Sequence, residues 1–207
     1  MRVVDASRAS TLFEGENRIM PDTVNAQNLI AFLKRLRAIR QFRPDPIPQE
    51  VVDAVLDVAR WSGSASNLQP WEFVVIRNRQ SLRALASVEG YASHLAGAAL
   101  GIVLVMAGEP RLVDQETYDE GRLSERIMLA AAAYGVGSSI GWFTGRGRAE
   151  AKAILGIPPE RLVRTAISLG YPDEAARRAR PKRTQARKPL SELVHEERYG
   201  AHPRPGV

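Results

Sequence analysis

Residues 35–71, RLRAIRQFRPDPIPQEVVDAVLDVARWSGSASNLQPW, limit the possible folds more than any other stretch of the chain. Arginines close one helix, a proline-spaced turn stops it, and a second helix follows. A loop of small polar residues then runs through Asn-x-Gln-Pro-Trp into a strand. Leu29, Phe32, Leu33 and Leu36 recur at i, i+3, i+4 and i+7, so the first helix, opening at Asp22 or Thr23, has one apolar face to bury. Arg37 and Arg40 fall near its end, where cations also complement the helix dipole. Pro44, Pro46 and Pro48 keep the connection extended, and Pro48 suits the first position of the next helix. That helix reaches about Trp61, with Val51, Val52, Val55, Leu56 and Ala59 turned inward. Arginine forks match phosphate oxygens, and a loop of Ser, Gly and Ala lets backbone N–H groups approach a flat heterocycle. The combination reads as a cofactor grip.

Further along, 71–76 reads as a strand and 81–88 as a short helix. The apolar run from Leu95 to Gly108 falls short of the ~20 residues a membrane-crossing helix needs. Val and Ile dominate its second half, which makes 98–107 a buried strand. A long helix from about Thr117 to Tyr134, apolar nearly all round at IMLAAAAYG, should run through the middle of the protein. Gly135 and Gly137 stop it, and SSIGWF makes a short strand or loop. Residues 148–155 form a helix ended by Gly156, 162–169 a strand, and 190–197 a short amphipathic helix. Helices and strands mix without regular βαβ alternation, which predicts an α+β fold with helices packed on a small mixed central sheet. We expect an N-terminal extension over 1–21, one domain over 22–200 and a tail over 201–207.

The chain has no cysteine, which removes disulfides, thiolate nucleophiles, iron–sulfur clusters and Cys-bound zinc together. Its three histidines, His94, His195 and His202, are scattered, which argues against metal catalysis. The N-terminus lacks the apolar core of a signal peptide, so the expected setting is cytoplasmic, off the membrane. Net charge is +6, and from Arg177 to Lys188 five Arg and two Lys occur with no acid. No aromatic residue interrupts that run, so a solvated loop or a phosphate anchor fits it better than a nucleic-acid surface. No GxGxxG follows a strand and no GxxxxGK[ST] occurs, so neither a Rossmann nor a P-loop reading has support. Asn67 and Gln69 each offer an acceptor and a donor, as the edge of an isoalloxazine ring requires. Taken alone, the loop is a polar turn and the arginines are an exposed helix face. Their joint occurrence with Arg187–Pro189 shifts the balance.

The joint pattern resembles the FMN-dependent nitroreductase family. The family's R-R-S-x-R-x-F segment is matched by Leu36-Arg37-Ala38-Ile39-Arg40-Gln41-Phe42, and its P-S-x-x-N-x-Q-P-W by Gly63 to Trp71. A glycine-containing segment after the central helix is matched from Gly135, L-G-Y-P at Leu169–Pro172, and R-K-P-L-x-E-L-V at Arg187–Val194. The resemblance implies that Arg37, Ala38 and Arg40, with Arg187, meet the FMN phosphate and ribityl chain. It implies that Ser64, Ala65, Ser66, Asn67 and Gln69 approach the flavin from the partner of a homodimer. Backbone at Ile140, Gly141 and Trp142 would face the reactive ring, with Trp142 and Phe143 shaping an apolar pocket or packing in the core.

The implied activity is a two-step cycle in which NADPH or NADH reduces FMN and a small-molecule acceptor (nitro compound, quinone or other oxidised substrate) takes the electrons. A flavin-consuming benzimidazole-forming enzyme, a reductive dehalogenase and a non-catalytic flavin or anion binder are the alternatives. His94 and Glu125 are candidate proton donors, each more readily structural. Leu36, Ala38 and Gly63 depart from the family pattern, and each lost charge-assisted bond would cost about 1.5–3 kcal/mol of binding.

Overall fold

The computed structural model describes residues 25–179 and 186–202, and the chain divides into two compact units, Met1–Asp173 and Glu174–Val207. The first contains helices α1 (Ala26–Arg35), α2 (Gln49–Arg60), α3 (Arg79–Ser87), α4 (Val113–Ala133) and α5 (Gly147–Leu155). Its strands are β1 (Trp71–Ile76), β2 (Leu100–Met106), β3 (Gly137–Trp142) and β4 (Leu162–Gly170). The second holds α6 (Glu174–Arg178) and a 3-10 turn, Leu190–Glu192, where the sequence suggested an amphipathic helix.

The four strands pair in the order β1-β2-β4-β3, and every pairing is antiparallel, so the sheet is not mixed. β2 is buried along its whole length, as its unbroken Leu/Ile/Val run requires of an inner strand covered on both faces. On one face α2 and α4 bring Val52, Val55, Ala59, Leu123, Ile127 and Ala131 onto Ile102, Leu104 and Ile167. On the other, Leu82, Leu85 and Ala151 of α3 and α5 pack with Val103, Val105 and Ala166. Alternate residues of one strand serve opposite cores, which is the period-2 rule acting on a two-sided sheet.

Four element boundaries differ from expectation for identifiable reasons. Asp22 and Thr23 lie outside the described residues; Asn25 caps α1, its side chain accepting from Asn28 N–H at 3.0 Å. α1 ends at Arg35, so Arg37 and Arg40 lie beyond the helix, and no residue of α1 is buried within this chain. Pro48 is the N-cap of α2, with extended ψ of 147°, and Gln49 takes the first helical place. α4 starts four residues before Thr117, and its first half buries three acids, Glu116, Asp119 and Glu120. Glu116 caps the turn after β2, accepting from the N–H groups of Gly108 (2.9 Å) and Glu109 (3.1 Å).

Candidate functional site

The arginine segment after α1 is laid along the ends of β3 and β4 by two glycines. Gly137 and Gly170 face each other across the β3–β4 pair. A Cβ on Gly137 would sit 2.8 Å from Ile39, and one on Gly170 would sit 2.8 Å from Phe42. Their missing side chains let Ile39 and Phe42 lie flat against the sheet. Ile39 N–H donates to Ser138 O at 2.8 Å and Arg43 N–H to Tyr171 O at 2.9 Å, with Asp173 N–H closing on Gln41 O at 3.0 Å. Between these fixed points Arg40 faces solvent, as does Ala38 just before them. Arg37 turns back on α1, its Nη1 donating to the carbonyls of Lys34 and Leu36, both at 2.7 Å. It thus caps the helix's free carbonyls.

The outer edge of β3 is covered by backbone at both ends, while between them Ile140 has no backbone partner among the described residues and its backbone meets the His94 ring. Ser138 O is taken by Ile39, and Trp142 O accepts from Tyr91 N–H at 2.6 Å. Antiparallel alternation turns the Ile140 peptide groups the same way, and Ile140 is exposed. Among the described residues no backbone group bonds the Ile140 N–H there. Gly141 instead turns its amide toward β4 and is buried against Ala92, whose Cβ lies 2.9 Å from the place a glycine side chain would occupy. Trp142 is half-buried over the Arg164 guanidinium, 5.9 Å from the ring centroid. Arg164 is itself paired with buried Glu120, Nε donating to Oε2 at 2.7 Å. Phe143 is wholly buried in the α3/α5 core, so it shapes no pocket.

Behind this opening lies His94, in the 3-10 turn Ser93–Gly97. Its Nδ1 is 2.7 Å from Ser168 Oγ, which donates to Ser139 O at 3.3 Å. Burial first, and the Arg40 charge second, lower its pKa below the ordinary imidazole value; backbone groups of Ile140 and Tyr91 partly offset this. The ring therefore favours the neutral form and is poorly suited to deliver a proton. Arg40 follows Ile39, which bonds the β3 edge at Ser138, and its charge and the Ile140 backbone both act on His94. Glu125, on α4, is exposed.

The Ser64–Gln69 loop stands elsewhere. Ser66, Asn67 and Gln69 all take left-handed backbone, with φ of 49°, 55° and 49°. Ser64 Oγ accepts from Gln69 N–H at 2.9 Å, and Gln69 Nε2 donates to Asn67 O at 3.2 Å. The buried carboxylate of Asp119 takes Ala65 N–H at 3.2 Å. The loop feeds β1, at the opposite edge of the sheet from β3. Three interstrand steps of about 4.8 Å separate those edges, so the two sets of residues stand well over 10 Å apart within one protomer. Arg187 lies exposed in the second unit, two residues before Pro189 and the turn that follows it. Sequence reasoning missed Asp119, Tyr91 and Ser168: a buried acid early in a helix has the same local pattern as an exposed one.

The family model described as the nitroreductase family matches residues 33–118. A protein of Archaeoglobus fulgidus, provisionally named NADH dehydrogenase/NAD(P)H nitroreductase, is 33% identical over 144 residues, 67% of this chain and 82% of its own length. An NADH dehydrogenase of Thermus thermophilus is 30% identical over 177 residues, covering 70% of this chain and 86% of that protein. Among solved structures, an FMN-dependent nitroreductase from Clostridium difficile superposes with a TM-score of 0.70 at 25% identity, over 82% of this chain and 99% of the other.

Proposed function

Because the chain belongs to the nitroreductase family, we propose that it is an FMN-dependent NAD(P)H oxidoreductase that reduces a small nitro, quinone or other oxidised acceptor in alternating half-reactions. The observation that carries this reading is the β3 edge at Ile140, whose N–H has no backbone partner there among the described residues, with the exposed Arg40 on the segment that bonds the same edge at Ser138. These groups fit FMN: a guanidinium for its phosphate, an edge N–H for its ring, and the amide side chains of Asn67 and Gln69 for the polar rim. Bound there, FMN would supply the hydride chemistry that no side chain of this cysteine-free protein provides.

The chain's own residues bind and orient. Arg40 holds the anionic tail, and the Ile140 N–H donates where negative charge develops on the ring. Gly137 and Gly170 fix the arginine segment, and neutral His94 keeps a second positive charge away from Arg40. The loop and the β3 edge lie at opposite edges of the sheet, which supports a site that takes its loop from a second copy in a homodimer. The exposed apolar face of α1 supports the same arrangement.

The test is an absorbance spectrum of the purified protein with added FMN, followed by anaerobic titration with NADH and NADPH. A yellow protein bleached by a nicotinamide and recoloured by a quinone is the expected result. A protein that stays colourless after FMN is added overturns the reading.

A further inference from the structure

We propose that Asp119 is the positioning residue that holds the Ser64–Gln69 loop in the shape the cofactor meets, an assignment that rests on the FMN reading above. Its carboxylate is almost fully buried on α4, a costly place for a charge unless hydrogen bonds compensate. Oδ2 accepts the Ala65 N–H at 3.2 Å, and Oδ1 faces Arg122 Nη1 at 3.6 Å. Arg122 Nη2 in turn lies 2.2 Å from the point a Cβ on Gly63 would occupy. The carboxylate therefore ties Ala65, next to Ser64, directly to the helix, and the arginine it faces lies beside Gly63.

The loop needs such an anchor. Three of its residues sit in left-handed backbone, which persists at non-glycine positions only where the surroundings over-determine it. The Ser64–Gln69 and Gln69–Asn67 bonds close the loop on itself, but they do not locate it on the protein. Among the described residues, Ala65 to Asp119 is the hydrogen bond that joins this turn to α4. Gly63 leaves room beside the Arg122 guanidinium, which a larger residue would push aside.

The test compares wild type with Asp119→Ala, Asp119→Asn and, as a control for simple loss of stability, Leu123→Ala, a core change on the same helix. Amide hydrogen exchange over 63–70 and the FMN dissociation constant are read for each, beside the melting temperature. Asp119→Ala should speed exchange in the loop and weaken FMN binding, each by about tenfold. Asp119→Asn, which keeps an acceptor for Ala65, should recover most of both. Leu123→Ala should lower the melting temperature and leave both readouts alone. Wild-type exchange and affinity in Asp119→Ala, or losses no larger than those of Leu123→Ala, would overturn the assignment. If Asp119→Ala does not fold, Asp119→Val, which fills the site without an acceptor for Ala65, takes its place, and unaltered loop exchange in it overturns the assignment equally. Loop protection that depends on Asp119 in a protein that takes up no FMN would support the anchor and remove the cofactor reading.

Discussion

At His94, burial and the neighbouring Arg40 guanidinium hold the imidazole below its ordinary value of 6.5. The unfolded chain therefore binds a proton here at a pH where the folded chain does not. Stability from this residue is fully present above that value and falls as pH drops below it, toward the lowered folded pKa. His94→Gln should flatten the acid side of the stability profile, read as melting temperature from pH 7 down to about 5; a wild-type slope in the variant would remove His94 as its source. Gly137 makes a second residue-scale case. A methyl group there would lie 2.8 Å from three carbons of Ile39, so Gly137→Ala should destabilise by about 1–3 kcal/mol. By shifting the segment that carries Arg40 it should also weaken FMN binding. Unchanged melting and affinity would show that the segment adapts freely. The arginines and the loop amides were legible in the sequence because their side-chain chemistry names a ligand. Asp119 was not, since its role comes from burial beneath a loop 54 positions away in the chain.

The elements were mostly readable where a periodic pattern met a clear stop. β1 matches its expected span, and α5 closes at Gly156 in left-handed backbone as a glycine C-cap should. α1 is the instructive exception. Its 3.6-residue apolar spacing correctly marks a helix with one apolar face, yet Ile30 and Leu33 stay 51% and 45% exposed in the single chain. Spacing states that a face seeks cover; it does not say that the same chain provides it. On the homodimer reading, Leu33→Asp should shift sedimentation toward monomer and reduce FMN retention with it, while a dimer of wild-type stability would assign that face to something else.

Over the whole molecule, the order β1-β2-β4-β3 puts the Ser64–Gln69 loop and the Ile140 opening at opposite sheet edges. If two copies complete each site, Arg40→Ala and Asn67→Ala damage different halves of it. Co-refolding the two variants should then restore about one site in four, because half the dimers are mixed and each mixed dimer has one intact site. No recovery of bound FMN on mixing would place both residues in one protomer's site. By itself the sequence determined the succession of elements, the α+β class and the chemical kind of the binding groups, since local periodicity and side-chain type carry that information. Tertiary structure alone decided that the sheet is antiparallel, that the two halves of the grip stand apart, and that buried acids on α4 anchor what lies above them. Those facts depend on which distant segments become neighbours, and neighbourhood across dozens of residues leaves no mark in local pattern.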